Sequence, residues 1–534
     1  MKYIFLILFF VSFNSFATDY YVSATGSNTN TGKSSNSPFL TIQKAHDLTV
    51  AGDTVFVMNG TYGSQSGPIL NVTRSGAVTG YITFKAFKGH FPKITAAGNV
   101  WNAVSINGSY IVFDGFEMIG NNANITYDKA LASYTEAANG GTNWSTYANY
   151  NTNAITIGGP RDESKLPHHV VIRNCKVHDF PGGGINSIQA DYTTIENNVV
   201  YNNAWYMMYA GSGISILTPF NWDRATGYKN IIRNNICNTN KTTIPWVSVK
   251  KLSDGNGIII DVNQRAYNDQ SGTTPDPANA YTGRTLVENN VSVNNGGSGI
   301  HTYKADHVDI INNTAYHNGT VVGYPDIFSN ACQDVNIINN IIYARLGGDC
   351  NSKPKNASEV YSHNIYFNGK VGFQGPNDVV IDPQFVNLST DLFLGNFNLK
   401  ASSPAIDQGT NAAGLYGQKD IMGIARPQGA KPDKGAYEFN NSPVTIITSL
   451  EKPFDSEAIL YPNPVSKILS VKLSETQKSN AQIEILNCFG ISIKKQLLDN
   501  QTNEVSVEQL SSGLYIVVIS HDNRITSVHK FLKQ

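Results

Sequence analysis

Long apolar runs, cysteine and net charge are all scarce in this chain of 534 residues. The one long apolar run, Ile4 to Phe13, is shorter than a bilayer span requires, so no transmembrane segment is expected. Lys2 before it and Ser15-Phe16-Ala17 after it give residues 1–17 the pattern of a secretory signal peptide. The mature chain is then expected to begin near Thr18 and to be soluble. The formal net charge of −1 argues against a nucleic-acid or anionic-membrane partner, while leaving room for a local basic patch. Five cysteines (Cys175, Cys237, Cys332, Cys350, Cys488) are scattered and include no C-x-x-C pair, which argues against a zinc site. They read as buried small apolar residues, with a disulfide between neighbouring repeats as the alternative.

What the chain has in abundance is repetition. An apolar-polar-Asn-Asn phrase recurs at Ile195-Glu196-Asn197-Asn198, Ile232-Arg233-Asn234-Asn235 and Val287-Glu288-Asn289-Asn290, then shortened at Ile311-Asn312-Asn313 and Ile338-Asn339-Asn340. The shortest interval, Asn290 to Asn313, marks one bare repeat, and the longer intervals carry inserted loops. Ile172-Arg173-Asn174-Cys175 and Ser362-His363-Asn364 are outlying members. A second phrase keeps step: Gly183-Gly184-Ile185, Gly211-Ser212-Gly213-Ile214, Gly255-Asn256-Gly257-Ile258 and Gly297-Ser298-Gly299-Ile300. Short β-branched runs bounded by Gly and Asn are strands with turns. A repeat this short cannot bury its apolar face alone, so the repeats must stack. Asn at a recurrent turn suits a left-handed backbone and hydrogen bonding between stacked coils. The leucine ladder of a leucine-rich repeat is absent. The pattern predicts an all-β chain built mainly as a right-handed parallel β-helix solenoid.

The solenoid's open end needs a cap, and Thr41 to Leu48, with Ile42, Ala45 and Leu48 at helical spacing, supplies a short helix for it. The stretch Tyr20 to Tyr62 resembles the opening of bacterial β-helix polysaccharide lyases, including the chondroitinase-B-like and pectate-lyase-like groups. Ser403-Pro404-Ala405-Ile406-Asp407 and Asp433-Lys434-Gly435-Ala436-Tyr437-Glu438-Phe439 resemble the closing segment of secreted bacterial β-helix proteins. The composition then changes. Leu460-Tyr461-Pro462-Asn463-Pro464, Ser512-Gly513-Leu514-Tyr515-Ile516 and the terminal Lys530-Phe531-Leu532-Lys533 closely resemble the C-terminal sorting domain of type IX secretion. That resemblance implies a small β-sandwich after the solenoid, the secretion machinery as a partner and export across the outer membrane. The expected organisation is a signal peptide (1–17), a capped β-helix (18–440), a linker (441–456) and a sorting domain (457–534).

Stacking the repeats at the Gly phrase places Ile185, Ile214, Ile258, Ile300 and Ile327 in an inward column. The strand period of two sends Asn186, Ser215, Ile259, His301 and Phe328 outward, and likewise Ile188, Leu217, Asp261, Tyr303 and Asn330. An outward face carrying aromatic and aliphatic side chains beside a carboxylate and an imidazole suits a sugar platform with acid–base groups. Insertions at 121–152, 218–228, 238–254 and 263–282, rich in aromatics, are expected to raise two walls around it.

The lyase resemblance implies β-elimination on a uronic-acid-containing glycan of the pectate or alginate kind. That reaction needs the uronate carboxylate neutralised, a base for the C5 proton and an acid for the leaving oxygen. Asp261, His301, Tyr303 and Lys304 are the candidate catalytic residues. Arg265, Trp222, Arg224, Lys250 and Phe328 are candidate substrate contacts. Asp254 and Asp261 are candidate ligands for Ca²⁺. The motifs of the resemblance are architectural, and no subfamily's base carries over to a position here. A glycoside hydrolase using two carboxylates (Asp254 or Asp223 with Asp261), a C5-epimerase and a non-catalytic glycan binder stay open. The chain is expected to act as a monomer.

Overall fold

The computed structural model describes residues 17–88, 90–159, 166–269, 274–392, 394–411, 417–439, 458–473, 481–486, 492–498, 503–510, 513–521 and 524–533. The expected signal peptide lies outside them apart from its last residue, and the expected linker and Cys488 lie outside them altogether.

Among the described residues, three long parallel sheets of 11, 11 and 8 strands wind around one apolar interior. One coil shows the plan: His168–Arg173 lies in the first sheet, Lys176–His178 in the second and Ile185–Ile188 in the third. Asp191–Glu196 then returns to the first sheet, beside the strand where the coil began. The chain is a right-handed parallel β-helix. Its interior is the expected isoleucine column, with Ile185, Ile214, Ile258, Ile300 and Ile327 fully buried. Each such side chain contributes about 1.5–3 kcal/mol by leaving water, and none could do so in an unstacked coil.

The Asn-Asn phrase divides its work between two residues. The first takes the left-handed backbone of the turn between the first and second sheets: φ is 57° at Asn197, 57° at Asn234, 54° at Asn289 and 54° at Asn312. The second faces inward and bonds along the stack. Asn198 donates its backbone N–H and side-chain amide to Asn235 Oδ1 at 3.0 and 3.0 Å, and Asn235 does the same to Asn290 at 2.9 and 3.0 Å. The ladder runs on through Asn313, Asn340 and Asn364 and ends on Asp378, an acceptor with no amide to satisfy. A second ladder, from Asn203 through Asn240, Asn295 and Asn318, ends in the same way on Asp326. Sequence reading recognised the first ladder and missed the second.

At the N-terminal end the helix Ile42–His46 buries Ile42 and Ala45 against the first coil, and the Thr41 hydroxyl accepts from the Lys44 N–H at its start (3.2 Å). Leu48, expected on the helix's apolar face, lies beyond its end and is exposed. At the other end the chain doubles back. The antiparallel pair Phe385–Asn387 and Asn396–Leu399, followed by Ala405, Ala436 and Tyr437, packs on the outer face of the second sheet over Val291, Val293, Tyr316, Ile341 and Ile365. A buried ion pair between Arg426 and Glu438 (2.7 Å) ties this covering segment to itself. The described residues between 458 and 533 form two antiparallel sheets that share a core of Leu469, Val471, Ile483, Val505, Tyr515, Val517 and Phe531. The four described cysteines are buried free thiols.

Candidate active site

The outer face of the third sheet is where the coils leave apolar side chains without a covering segment. Register pairs Ile259 with His301 and His301 with Phe328, and Asp261 with Tyr303 and Tyr303 with Asn330, as the strand period requires. Those six residues line a cleft of about 890 Å³. Its two walls differ. Turns entering the strands supply Tyr209, Trp246, Val249 and Tyr324. The turn after Ile300–Tyr303 supplies Lys304, and the segment after the next coil's separate strand, Asp349–Asn351, supplies Lys353 and Lys355. One wall is aromatic and the other is basic.

Asp261 ends the strand Ile258–Asp261, and its half-buried carboxyl carries an Oδ1 that is buried without a hydrogen-bond partner. Burial raises its pKa to about 7, the negative charge of Asp254 pushes in the same direction, and Lys304 opposes both. Asp254 is raised chiefly by burial, against hydrogen bonds from the Ser253 hydroxyl (2.7 Å) and the Asn256 amide (3.1 Å). The turn holding it is tight, with φ of 64° at Asp254 and 69° at Gly255. A Cβ on Gly255 would meet the Thr242 nitrogen at 2.6 Å, so only glycine fits.

His301 is stacked on Phe328, with ring centroids 4.8 Å apart. Burial lowers its pKa to about 3, so it is neutral across the physiological range. A relay fixes its tautomer. Ser298 donates its hydroxyl to Asn256 Oδ1 (3.1 Å) and therefore accepts from His301 Nδ1 (2.6 Å), leaving Nε2 as the bare lone pair. Lys304 has a left-handed backbone (φ 47°) and closes the strand as a turn, its ammonium 5.3 Å from the centre of the Tyr303 ring.

The structure thus brings Asp261, His301, Tyr303, Lys304, Phe328 and Asp254 together. Four other expected contacts lie elsewhere. Arg265 is buried and ion-paired to Asp269 (2.8 Å). Trp222 stacks on His168 of the first sheet at 3.6 Å, and Arg224 donates to the Ala278 carbonyl (3.4 Å). Asp191 of the first sheet ties down the loops of Trp222 and Tyr281, accepting from the Trp222 N–H and the Tyr281 hydroxyl, and none of Arg265, Trp222 and Arg224 lines the cleft. Lys250 sits exposed on the loop that supplies Trp246 and Val249, outside the cleft lining. Tyr209, Tyr324, Lys353 and Lys355 were not anticipated; their places one turn before or after an outward strand were the available signal.

As a calcium site the Asp254–Asp261 pair is thin. Calcium takes about six to eight oxygen ligands. Here the Asp254 carboxylate already accepts from Ser253 and Asn256, and among the described residues no group of three or more His, Cys, Asp or Glu is placed to hold a metal.

Among solved structures, the chain is similar to pectate lyase Pel9A (16% identity, covering 80% of this chain and 98% of that one, TM-score 0.46). It is also similar to XylC, solved with xylose (13% identity, 79% and 98% covered, TM-score 0.39). A third likeness is the A-module of the mannuronan C-5 epimerase AlgE6 of Azotobacter vinelandii (15% identity, 61% and 89% covered, TM-score 0.30). Comparison with curated proteins gives no match. No described helix is long and apolar enough to cross a membrane. Residues 459–534 match the family described as the secretion system C-terminal sorting domain, so the chain is exported by type IX secretion, to the cell surface or beyond it.

Proposed function

We propose that the cleft binds an anionic polysaccharide and cleaves it by β-elimination, with Asp261 as the base. The observation that carries this reading is the orphaned, buried oxygen of Asp261, set between an aromatic wall and a basic one. A carboxyl whose pKa stands near 7 is matched to proton transfer at neutral pH. Sugar rings stack on Tyr209, Trp246, Tyr324 and Phe328, and a uronate carboxylate faces Lys304, Lys353 and Lys355. Asp261 takes the C5 proton; the freed pair forms the C4–C5 double bond, the bond to the leaving oxygen breaks, and the Tyr303 phenol protonates that oxygen. Tyr303 is level with Asp261 on the adjacent coil, so the proton held by Asp261 returns to Tyr303 and closes the cycle. Neutral His301, held by Ser298, orients the sugar as an acceptor.

A second reading has one observation in its favour. Asp254 is a second carboxyl in the same cleft and helps to raise Asp261, which is the arrangement of a general acid beside a second carboxylate in a glycoside hydrolase. Incubating the exported protein with polygalacturonate, alginate and neutral glycans separates the two. Elimination gives new reducing ends together with the ultraviolet absorbance of an unsaturated uronate. Reducing ends without that absorbance would replace elimination by hydrolysis, and binding without either product would make the cleft a glycan-binding platform.

A further inference from the structure

We infer that a second ligand site, for a small organic anion with an apolar face such as an acidic sugar, lies at the C-terminal end of the solenoid around Lys434. The place is a cavity of about 550 Å³ between the last coil and the covering segment, lined by His363, Ser403, Pro404, Ile406, Lys431 and Lys434 among others. Lys434 is 3% exposed, and its ammonium donates to the Asn377 carbonyl at 3.1 Å. No carboxylate among the described residues lies within ion-pairing distance, 4.0 Å, of it. Other buried cations of the solenoid are treated differently: Lys229 meets Asp191 at 2.6 Å, Arg265 meets Asp269 at 2.8 Å and Arg426 meets Glu438 at 2.7 Å.

With one protein carbonyl for its three donors, this ammonium turns its other N–H groups to the contents of the cavity, and an anion there meets both their hydrogen bonding and their charge. The nearby carboxylate, Asp378, is already spent as the end of the asparagine ladder. It accepts from the backbone N–H groups of Asn364 (2.6 Å) and Gly375 (2.8 Å), from the Asn364 amide and from the Tyr366 hydroxyl (2.9 Å). Lys431 adds positive charge at the rim, and Ser362 is 2.5 Å from His363 Nδ1. When Ser362 is the donor in that bond, Nε2–H is left as a further donor. Pro404, Ile406, Val379 and Ile381 supply an apolar side to the same cavity. Cationic donors on one side and aliphatic groups on the other fit the carboxylate and the ring of an acidic monosaccharide.

Burial holds Lys434 down to about 8, against the pull of Asp378. Lys431 and His363 are the other titratable groups facing it. Anion affinity therefore falls as pH rises through about 8, because the ammonium is lost.

The site stands on this cavity and not on the reading of the cleft, so Asp261→Asn leaves it in place and the two ideas fail separately. Calorimetric titration of the Asp261→Asn protein with galacturonate, galactose and inorganic phosphate tests it. Galacturonate is expected to bind and galactose not to. Lys434→Met should lower the affinity about tenfold or more. Lys431→Glu, at an exposed position, should weaken binding without risk to the fold. Galacturonate affinity unchanged in both variants, phosphate binding without galacturonate binding, or no binding of any probe would each overturn the site.

Discussion

Two outer faces of this solenoid carry columns of apolar side chains, and they meet different fates. On the second sheet, Val291, Tyr316, Ile341 and Ile365 lie beneath the doubled-back segment, with Phe385, Phe397 and Tyr437 pressed on them. On the third sheet, Ile259, His301 and Phe328 line an open cleft beside an acidic group with an unused oxygen. The same strand chemistry is structural where the chain covers itself. Where it does not, the face is available to a ligand. Its apolar floor is nearly buried, with Ile259 5% and Phe328 7% exposed, and clefts floored by apolar and aromatic side chains with a few polar groups are the usual form of a binding site.

Substitutions on the two faces should therefore separate activity from stability. The largest effect is expected from Asp261→Asn on the open face: turnover falls by about 10²–10⁴-fold, the range typical of a lost general base, while the thermal midpoint holds or rises. On the covered face, Phe397→Ala removes a side chain packed at 5.2 Å on Tyr316 and 5.3 Å on Phe385. It should cost about 3–5 kcal/mol in a denaturant titration without altering KM in the folded fraction. Phe328→Ala, also at a buried side chain, should cost a similar amount, about 3–5 kcal/mol, but unlike Phe397→Ala it should raise KM as well.

Stability against pH sharpens the comparison further. The pKa of Asp261 is raised on folding from 3.8 to about 7. Between those values the folded state holds the extra proton, so this group's contribution is fully present below the unfolded value and is lost as pH rises through about 7. Asp261→Asn should flatten that part of the stability profile, whereas substitutions beneath the covering segment should leave its slope intact. The smallest effect is expected at the basic rim, where Lys353→Ala or Lys355→Ala should raise KM for an acidic glycan about two- to fivefold, the scale of an exposed charge pair, and less so in high salt.

How much of this was legible beforehand follows the range of the interactions involved. Asn197 and Asn198 announce a coil because a left-handed turn and an inward amide are local requirements, repeated wherever coils stack. Asp261, His301, Tyr303 and Phe328 were placed by the period of the strand and the register of the Gly phrase, both written in the chain. The direction in which a long loop folds is not written there. Trp222 and Arg265 looked like wall residues, yet neither lines the cleft, and Asp191 of the first sheet ties down their loops by accepting from the Trp222 N–H (2.8 Å) and from the buried Tyr281 hydroxyl (2.6 Å). That long-range anchoring has no sequence signature. Of the basic wall Lys304 was anticipated, whereas Lys353 and Lys355 were missed because they follow a strand outside every recognised phrase.

The pH dependence of kcat/KM on an acidic polysaccharide, measured from about pH 5 to about pH 9, tests the central claim most directly. A base with the environment of Asp261 predicts activity rising with an apparent pKa near 7, a limb that vanishes with the activity itself in Asp261→Asn. A flat profile across neutrality, or an Asp261→Asn protein with wild-type turnover, would contradict it.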